Sequence, residues 1–201
     1  MIAILDYGIG NLKSIYNMFK KAGIESAITS DIQEIKKADK YLLPGVGSFD
    51  HGITSLRNAS FFEALEKEVL ENKKPILGVC LGMQLLTNSS EEGKEKGLGW
   101  INAKTIKLNL EDKSLSIPHM GWNKTYPTNT RDIFKSLDEN RFYFVHTYHV
   151  VCSDEKNILA TADYGESFTC SIYKDNIYGV QFHPEKSHKF GMQLFKNFGE
   201  M

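Results

Sequence analysis

Apolar positions come first as short solid runs and later as alternating ones, so the chain reads in two textures. Ile2 to Leu5 is an apolar tetrad that ends in a glycine-rich turn, Asp6-Tyr7-Gly8-Ile9-Gly10-Asn11. Leu12, Ile15, Tyr16, Phe19 and Ala22 then recur at helical spacing, with Gly23 placed to cap the C-terminus. Ile24 to Ile28 predicts a second strand, and this strand–helix–strand start predicts a parallel sheet. Tyr41-Leu42-Leu43 is a third short strand, feeding Pro44-Gly45-Val46-Gly47-Ser48-Phe49. Phe61, Phe62, Leu65, Val69 and Leu70 predict an amphipathic helix that covers a sheet face. Ile76 to Val79 is a buried strand by the same logic, and Leu81 to Leu86 has helical spacing.

Glu91 to Gly99 is charged and glycine-containing, and reads as a solvated loop. Beyond it the predicted strands are short and separated by turn residues: Thr105 to Leu108, Phe142 to Val145, Leu159 to Ala162, Thr169 to Tyr173 and Ile177 to Phe182. With no long helices between them, they predict antiparallel additions to the sheet. A last helix, about Ser187 to Phe198, places Phe190, Leu194, Phe195 and Phe198 on one side. No proline-, glycine- or serine-rich linker and no repeat interrupts the 201 residues, so residues 1–201 are expected to form a single domain.

Composition narrows the class of function. Hydrophobic content of 41% and charged content of 24% are ordinary for a soluble globular protein. A net charge of −1 gives no electrostatic footprint for nucleic acid or an anionic membrane. Cys80, Cys152 and Cys170 are too few and too scattered for a disulfide framework or a zinc pattern, which points to a reducing, cytoplasmic setting. An acid at position 6 interrupts the N-terminal apolar run, unlike a signal peptide, and no run approaches the ~20 residues that span a bilayer.

The candidate chemistry centres on Gly78-Val79-Cys80-Leu81-Gly82, a cysteine between a buried strand and a helix with glycine two residues to either side. Strand, sharp turn and helix with the reactive residue at the tip is the plan of a nucleophile elbow, and the flanking glycines make room for the strained turn. A sulfur there also sits at the positive end of a helix dipole. A thiol nucleophile needs a base and the base an orienting partner. Of the six histidines, His183 has the best context, in His183-Pro184-Glu185 directly after an apolar strand. In extended backbone residues two apart project to the same side, which would pair imidazole with carboxylate. Gly45-Val46-Gly47 could aim backbone N–H groups into a pocket as half of an oxyanion hole. Gly8-x-Gly10 opens a helix as a dinucleotide fingerprint would, but the third small residue falls at Lys13 and the fingerprint fails. His146 and His149 lack a third ligand, so structural or substrate-contact roles outweigh a metal site. Cys152 and Cys170 lack the glycine elbow and are expected in the core.

Taken together, Gly78 to Gln84, Pro44 to Gly47 and His183-Pro184-Glu185-Lys186-Ser187 resemble the class I (triad) glutamine amidotransferases. Pro118-His119-Met120-Gly121-Trp122-Asn123 and Tyr143-Phe144-Val145-His146-Thr147-Tyr148 resemble the glutaminase subunits of imidazole glycerol phosphate synthases, and the likeness covers essentially the whole chain. The resemblance implies a flavodoxin-like α/β fold, with a mostly parallel central sheet flanked by helices and antiparallel additions in the C-terminal half. It implies that Cys80 attacks the side-chain amide of L-glutamine, that His183 is base and then acid, and that Glu185 orients His183. The oxyanion donors would be the N–H of Leu81 and one from Val46 or Gly47. Gly45, Gly47, Gln84, Thr147 and Tyr148 would bind substrate. No cofactor or metal is implied.

The same resemblance implies a heterodimer in which a (β/α)8-barrel synthase receives the ammonia through a channel and makes imidazole glycerol phosphate and AICAR in histidine biosynthesis. Asn11, Met120, Trp122, Asn123, Tyr143 and Lys186 match positions at or near that interface, and the oxyanion loop would become competent only on engagement. Three other readings compete. Ser48 to Gly52 and Gly97 to Ile101 resemble a branch that supplies ammonia for amidinating a surface-polysaccharide sugar. A catalytically inactive subunit is disfavoured by the presence of Cys80, His183 and Glu185. A thiol peptidase would cleave γ-glutamyl peptides without a partner.

Overall fold

Strands with an apolar residue at every position must be covered on both faces, and that requirement organises the molecule. In the computed structural model, which describes residues 1–112, 114–128, 132–137 and 139–201, β1 (Ile2–Leu5) and β4 (Ile76–Val79) are buried along their whole length. Side chains alternate between two hydrophobic clusters, Ile2 and Ile4 entering one while Ala3 and Leu5 enter the other. Helices α1 (Leu12–Lys21) and α6 (His188–Glu200) cover the Ile4 side, where Phe19 stacks on Phe195 at 4.4 Å. Helices α2 (Ile32–Lys37), α3 (Phe49–Asn58), α4 (Phe62–Leu70) and α5 (Leu81–Leu85) cover the Leu5 side through Ile35, Phe49, Leu65 and Met83.

The remaining strands are β2 (Ser26–Thr29), β3 (Lys40–Leu43), β5 (Ser89–Ser90), β6 (Ala103–Lys107), β7 (His119–Lys124), β8 (Tyr126–Pro127), β9 (Arg141–His146), β10 (Tyr148–Cys152), β11 (Ile158–Tyr164), β12 (Glu166–Lys174) and β13 (Ile177–Val180). Among the described residues the main sheet runs β2-β1-β3-β4-β13-β12-β10-β6-β5, with β11 paired to β12 and β8. From β2 to β13 the pairing is parallel; β12 against β13, β10 and β11 is antiparallel. The expected α/β fold with C-terminal antiparallel additions is therefore present. A separate ribbon pairs β7 with β9, placing His119 opposite His146 and Trp122 opposite Tyr143. No described helix is long and apolar enough to cross a membrane.

Several boundaries differ from the sequence pattern. The second strand is Ser26–Thr29 rather than Ile24 to Ile28, because Gly23, at φ +75°, and the turn it makes consume Ile24. The strand expected over Ile177 to Phe182 pairs only to Val180, and Phe182 turns into the aromatic cluster. The apolar pattern does not predict helices α2 and α3 or strands β7 and β10. Helix α2 has two apolar positions but a strong start, since the Asp31 carboxylate accepts from the N–H groups of Gln33 and Glu34. Phe182 is fully buried, stacked on Phe142 at 3.9 Å and edge-on to Phe144 at 5.6 Å. Replacing Phe182 with alanine is expected to cost about 3–5 kcal/mol of unfolding free energy, read from the denaturant midpoint at constant slope.

Candidate active site

Parallel strands send all their carboxyl ends to one edge, and β1, β3, β4 and β13 are neighbours there. Each delivers a residue just past its end: Tyr7 from β1, Gly45 to Gly47 from β3, Cys80 from β4, and Gln181 and His183 from β13. Val46, Gly47, Cys80 and His183 among these open onto a cleft of about 320 Å³, whose walls also include Leu81, Gln84, Glu92, Pro118, Val145, His146, Thr147, Tyr148 and Lys186.

Cys80 sits between β4 and α5 at φ 54° and ψ −112°, a region that side-chain-bearing residues rarely occupy. The neighbouring peptides hold it there: its N–H donates to Val180 O at 2.8 Å, and its carbonyl accepts from Met83 N at 3.0 Å. The backbone around it is packed too closely for side chains. A Cβ on Gly82 would lie 2.1 Å from Leu43 O, and one on Gly45 would lie 2.4 Å from Gly82 N. The Gly45 to Gly47 loop is thereby pressed against the start of α5, and Gly47 turns at φ +93°. Tyr7 fastens the loop from beneath, its hydroxyl donating to Pro44 O. Burial, and then the charge of Cys80, push the Tyr7 phenol up from its ordinary value, so it stays protonated as a donor.

His183 Nδ1 lies 2.8 Å from Glu185 Oε1, with both side chains buried. The pairing is as expected, but its cause is different. Residues Pro184–Lys186 form a single 3-10 turn, closed by Lys186 N donating to His183 O at 3.0 Å, and this turn swings Glu185 back under the imidazole. Extended alternation plays no part. Ser187 fixes the turn to the ribbon: its hydroxyl donates to His183 O at 2.6 Å and accepts from Tyr143 N at 2.9 Å. Burial pulls the His183 pKa down, but its interactions with Cys80 and then with Glu185 outweigh that and push it up to about 10. Its other ring nitrogen, Nε2, is buried with no hydrogen-bond partner among the described residues, and both His183 and Cys80 line the cleft.

Gln84 lines the cleft one turn after Cys80, and its Nε2 is committed inward, donating to Tyr148 O at 3.2 Å and Gln181 Oε1 at 3.0 Å. With both amide hydrogens spent, it can offer substrate only its oxygen. Thr147 and Tyr148 border the cleft directly, whereas Gly45 acts through packing. His146 Nδ1 lies 2.9 Å from Tyr148 O and its Nε2 lies 2.9 Å from His119 Nδ1, so both of its nitrogens have partners. Cys170 is fully buried and Cys152 packs against the core, its thiol pushed up to about 11 by burial and then by Asp154.

Beside the cleft, Trp122 stacks on His188 at 5.5 Å and meets Tyr143 edge-on at 6.3 Å, while Lys186 Nζ lies 5.8 Å from the Tyr143 ring centre. Met120 is 61% exposed and Trp122 38%, an unusual amount of apolar surface for one ribbon. Asn11 is exposed at the start of α1. Asn123 instead turns inward, its Nδ2 donating to Asp163 O at 2.7 Å. Pattern reading missed Glu92, Gln181 and the anchoring role of Tyr7. Glu92 lies in the loop taken as solvated, yet its Oε2 accepts from Phe49 N at 2.8 Å at the start of α3 and it enters the cleft wall. Lys94 and Glu95 N–H groups bond Asp50 at 3.0 Å, so the loop is tied along its length to α3.

An elbow cysteine, a histidine–carboxylate pair and a glycine loop at one sheet edge define a class, and a family description of glutamine amidotransferase class-I matches residues 3–200. The chain belongs to that family. It is 58% identical over 199 residues to the Methanococcus maripaludis protein named imidazole glycerol phosphate synthase subunit HisH 2, covering 98% of each chain. It is 46% identical over 202 residues to the Pseudomonas aeruginosa protein of the same name, covering 100% of each. A solved glutamine amidotransferase structure superposes with a TM-score of 0.76 at 15% identity, covering 100% of this chain and 99% of the other, a likeness of fold.

Proposed function

We propose that this chain is the glutaminase subunit of an imidazole glycerol phosphate synthase in histidine biosynthesis, residues 1–201 working as one amidotransferase domain in the cytoplasm. The observation that carries the reading is the full-length 58% identity to a protein of that name, in a chain whose cleft is lined by Cys80 and by His183, the latter paired with Glu185. In the mechanism, the Cys80 sulfur attacks the side-chain amide carbon of L-glutamine. The tetrahedral oxyanion accepts from the Leu81 N–H and from the N–H of Val46 or Gly47, each donor supplying about 3 kcal/mol of transition-state stabilisation. His183 gives its proton to the departing ammonia, leaving a glutamyl thioester. It then takes a proton from water as the thioester is cleaved to glutamate. Glu185 holds the imidazole in the tautomer that faces Cys80. Glu92 is the acidic group of the cleft wall, suited to the substrate ammonium, and the Gln84 oxygen is an acceptor for a substrate N–H.

The ammonia goes to a (β/α)8-barrel synthase docked over the ribbon, with Asn11, Met120, Trp122, Asn123, Tyr143 and Lys186 at or near the contact. Trp122 is the anchor: it is rigid, aromatic and backed by His188 and Tyr143. Trp122→Ala is expected to weaken binding of the barrel subunit by about 30-fold, measured by calorimetric titration. Glutamine turnover by the free chain is expected to rise about 100-fold when that subunit is added, and equal rates with and without it would refute the dependence on docking. The function itself is tested by growth. Together with its own barrel partner, the chain should restore growth without histidine to a strain lacking both synthase subunits. No growth from a well-expressed pair that releases glutamate in vitro would assign the ammonia to another acceptor.

A further inference from the structure

A chain of hydrogen bonds leads from the ribbon to the Cys80 sulfur, and the chemistry of its members leaves one way to orient it. The Tyr148 carbonyl can only accept, so the His146 nitrogen 2.9 Å away, Nδ1, carries a proton. Burial pushes the His146 pKa down to about 3 and that of His119 to about 4, so both rings are neutral and each has one N–H. His146 Nε2 is therefore an acceptor, and His119 Nδ1 donates to it at 2.9 Å. His119 Nε2 is in turn an acceptor, facing Asn123 Nδ2 at 3.4 Å. On the far side of the carbonyl, Gln84 Nε2 donates to Tyr148 O at 3.2 Å and to Gln181 Oε1 at 3.0 Å. Gln181 is fully buried, and its remaining group, Nε2, donates to Cys80 Sγ at 3.8 Å, a reach set by the large radius of sulfur. Every side-chain donor and acceptor role from Asn123 Nδ2 to Gln181 Nε2 follows from its neighbours.

We propose that Gln181 is a catalytic residue of this site, its amide N–H touching the reacting sulfur, and that His119 and His146 are positioning residues that hold it through the Tyr148 carbonyl and Gln84. The inference rests on Cys80 being the nucleophile. In its mechanism the Gln181 N–H stabilises the sulfur anion before attack on the amide and again when the thioester is cleaved and the anion returns. Packing alone does not require this arrangement. A buried glutamine at this place could be replaced by an apolar residue of equal size, and a histidine pair by two aromatics, with the volume kept. The polar chain reaches the one atom where negative charge is formed and discharged in each cycle, where a fixed donor acts most. Its other end, Asn123, lies beside Trp122 on the ribbon, so the surface proposed to meet the synthase and the sulfur share one set of bonded side chains.

The test measures the sulfur itself. The purified full chain is treated with iodoacetamide, and alkylation of the Cys80 peptide is followed by mass spectrometry, which separates it from Cys152 and Cys170. Gln181→Met keeps the volume and removes the donor, and Gln181→Asn keeps the amide but shortens its reach, so either variant that melts like the parent serves. Alkylation is expected to slow by about threefold to tenfold, since a charge-assisted bond is lost and the anion's own nucleophilicity offsets part of the loss. His146→Leu should slow it as well. His146→Gln, which can donate to Tyr148 O and accept from His119, should restore it. In the glutaminase assay with the barrel subunit, Gln181→Met should lower kcat by a larger factor than it raises KM, the smaller KM effect coming from Gln84, whose amide loses one acceptor. Unchanged alkylation in folded Gln181 variants, or equal rates for His146→Leu and His146→Gln, would overturn the proposal. If the parent chain together with the barrel subunit released no glutamate while its Cys80 was readily alkylated, the functional reading would fail instead.

Discussion

Cys80→Ala should lose glutamine turnover by roughly 10⁵-fold while the complex with the barrel subunit still makes product from ammonium salts. The covalent step has no other candidate in the cleft, because Cys80 is the one thiol among its lining residues. Ammonia supplied from solution bypasses the thioester, so the acceptor's chemistry is untouched. Alanine at φ 54° inherits the strain that cysteine already bears, so the loss of stability should be about 1–3 kcal/mol, set by the buried Gln181 N–H that is left without its sulfur acceptor. Cys80→Gly provides the contrast, relieving that strain and raising the melting temperature above that of the alanine variant with the same loss of activity. Parallel assays of glutamate release and of ammonium-dependent synthesis decide it. Residual glutamine-dependent synthesis by the alanine variant would refute the thioester route.

The two features on which that prediction stands were readable because each is contiguous in the chain. A solid apolar run, a cysteine and two glycines determine the elbow, and the structure adds only the reason for the glycines: Gly82 and Gly45 let three backbone segments touch. Two residues' separation is enough to bring His183 and Glu185 together, but a 3-10 turn does so rather than the extended backbone that the sequence suggests. What was missed depends on residues brought together from far apart. Phe49, Ile53 and Leu56 have helical spacing, but Gly45, Gly47 and Gly52 punctuate the stretch like a loop. Gly52 proves to be the point where α3 closes on Leu81, a Cβ there lying 2.9 Å from its side chain. Strand β7 carries glycine, asparagine and lysine, poor strand formers, and is held by its register with β9. Glu92 and Gln181 gain their meaning only from partners: a backbone N–H at the start of α3 for one, a sulfur and a second glutamine for the other.

Glu185→Gln should cut kcat by about 10³-fold and move the alkaline limb of the pH profile toward neutrality. In the proposed mechanism the leaving ammonia takes its proton from His183, so activity is lost as pH rises through the value at which the imidazolium gives up that proton. In the folded chain this is about 10, raised from the ordinary 6.5 because the effects of Cys80 and Glu185 exceed that of burial. Neutral glutamine removes one of the two raising causes and leaves burial in force, so the limb must fall. The amide can also donate to Nδ1, which would place the ring proton on Nε2 facing Cys80 and prevent the imidazole from accepting one there. The two effects separate in the data, the first as a shift of the limb and the second as a lower plateau. Stability changes with the same sign. A folded pKa above the unfolded one gives a contribution that is complete below about 6.5 and is lost as pH rises through about 10, so the parent loses more stability over that window than the glutamine variant. A kcat profile for Glu185→Gln with its alkaline limb where the parent has it, or a variant as active as the parent, would show that the carboxylate neither holds the imidazolium nor selects its tautomer.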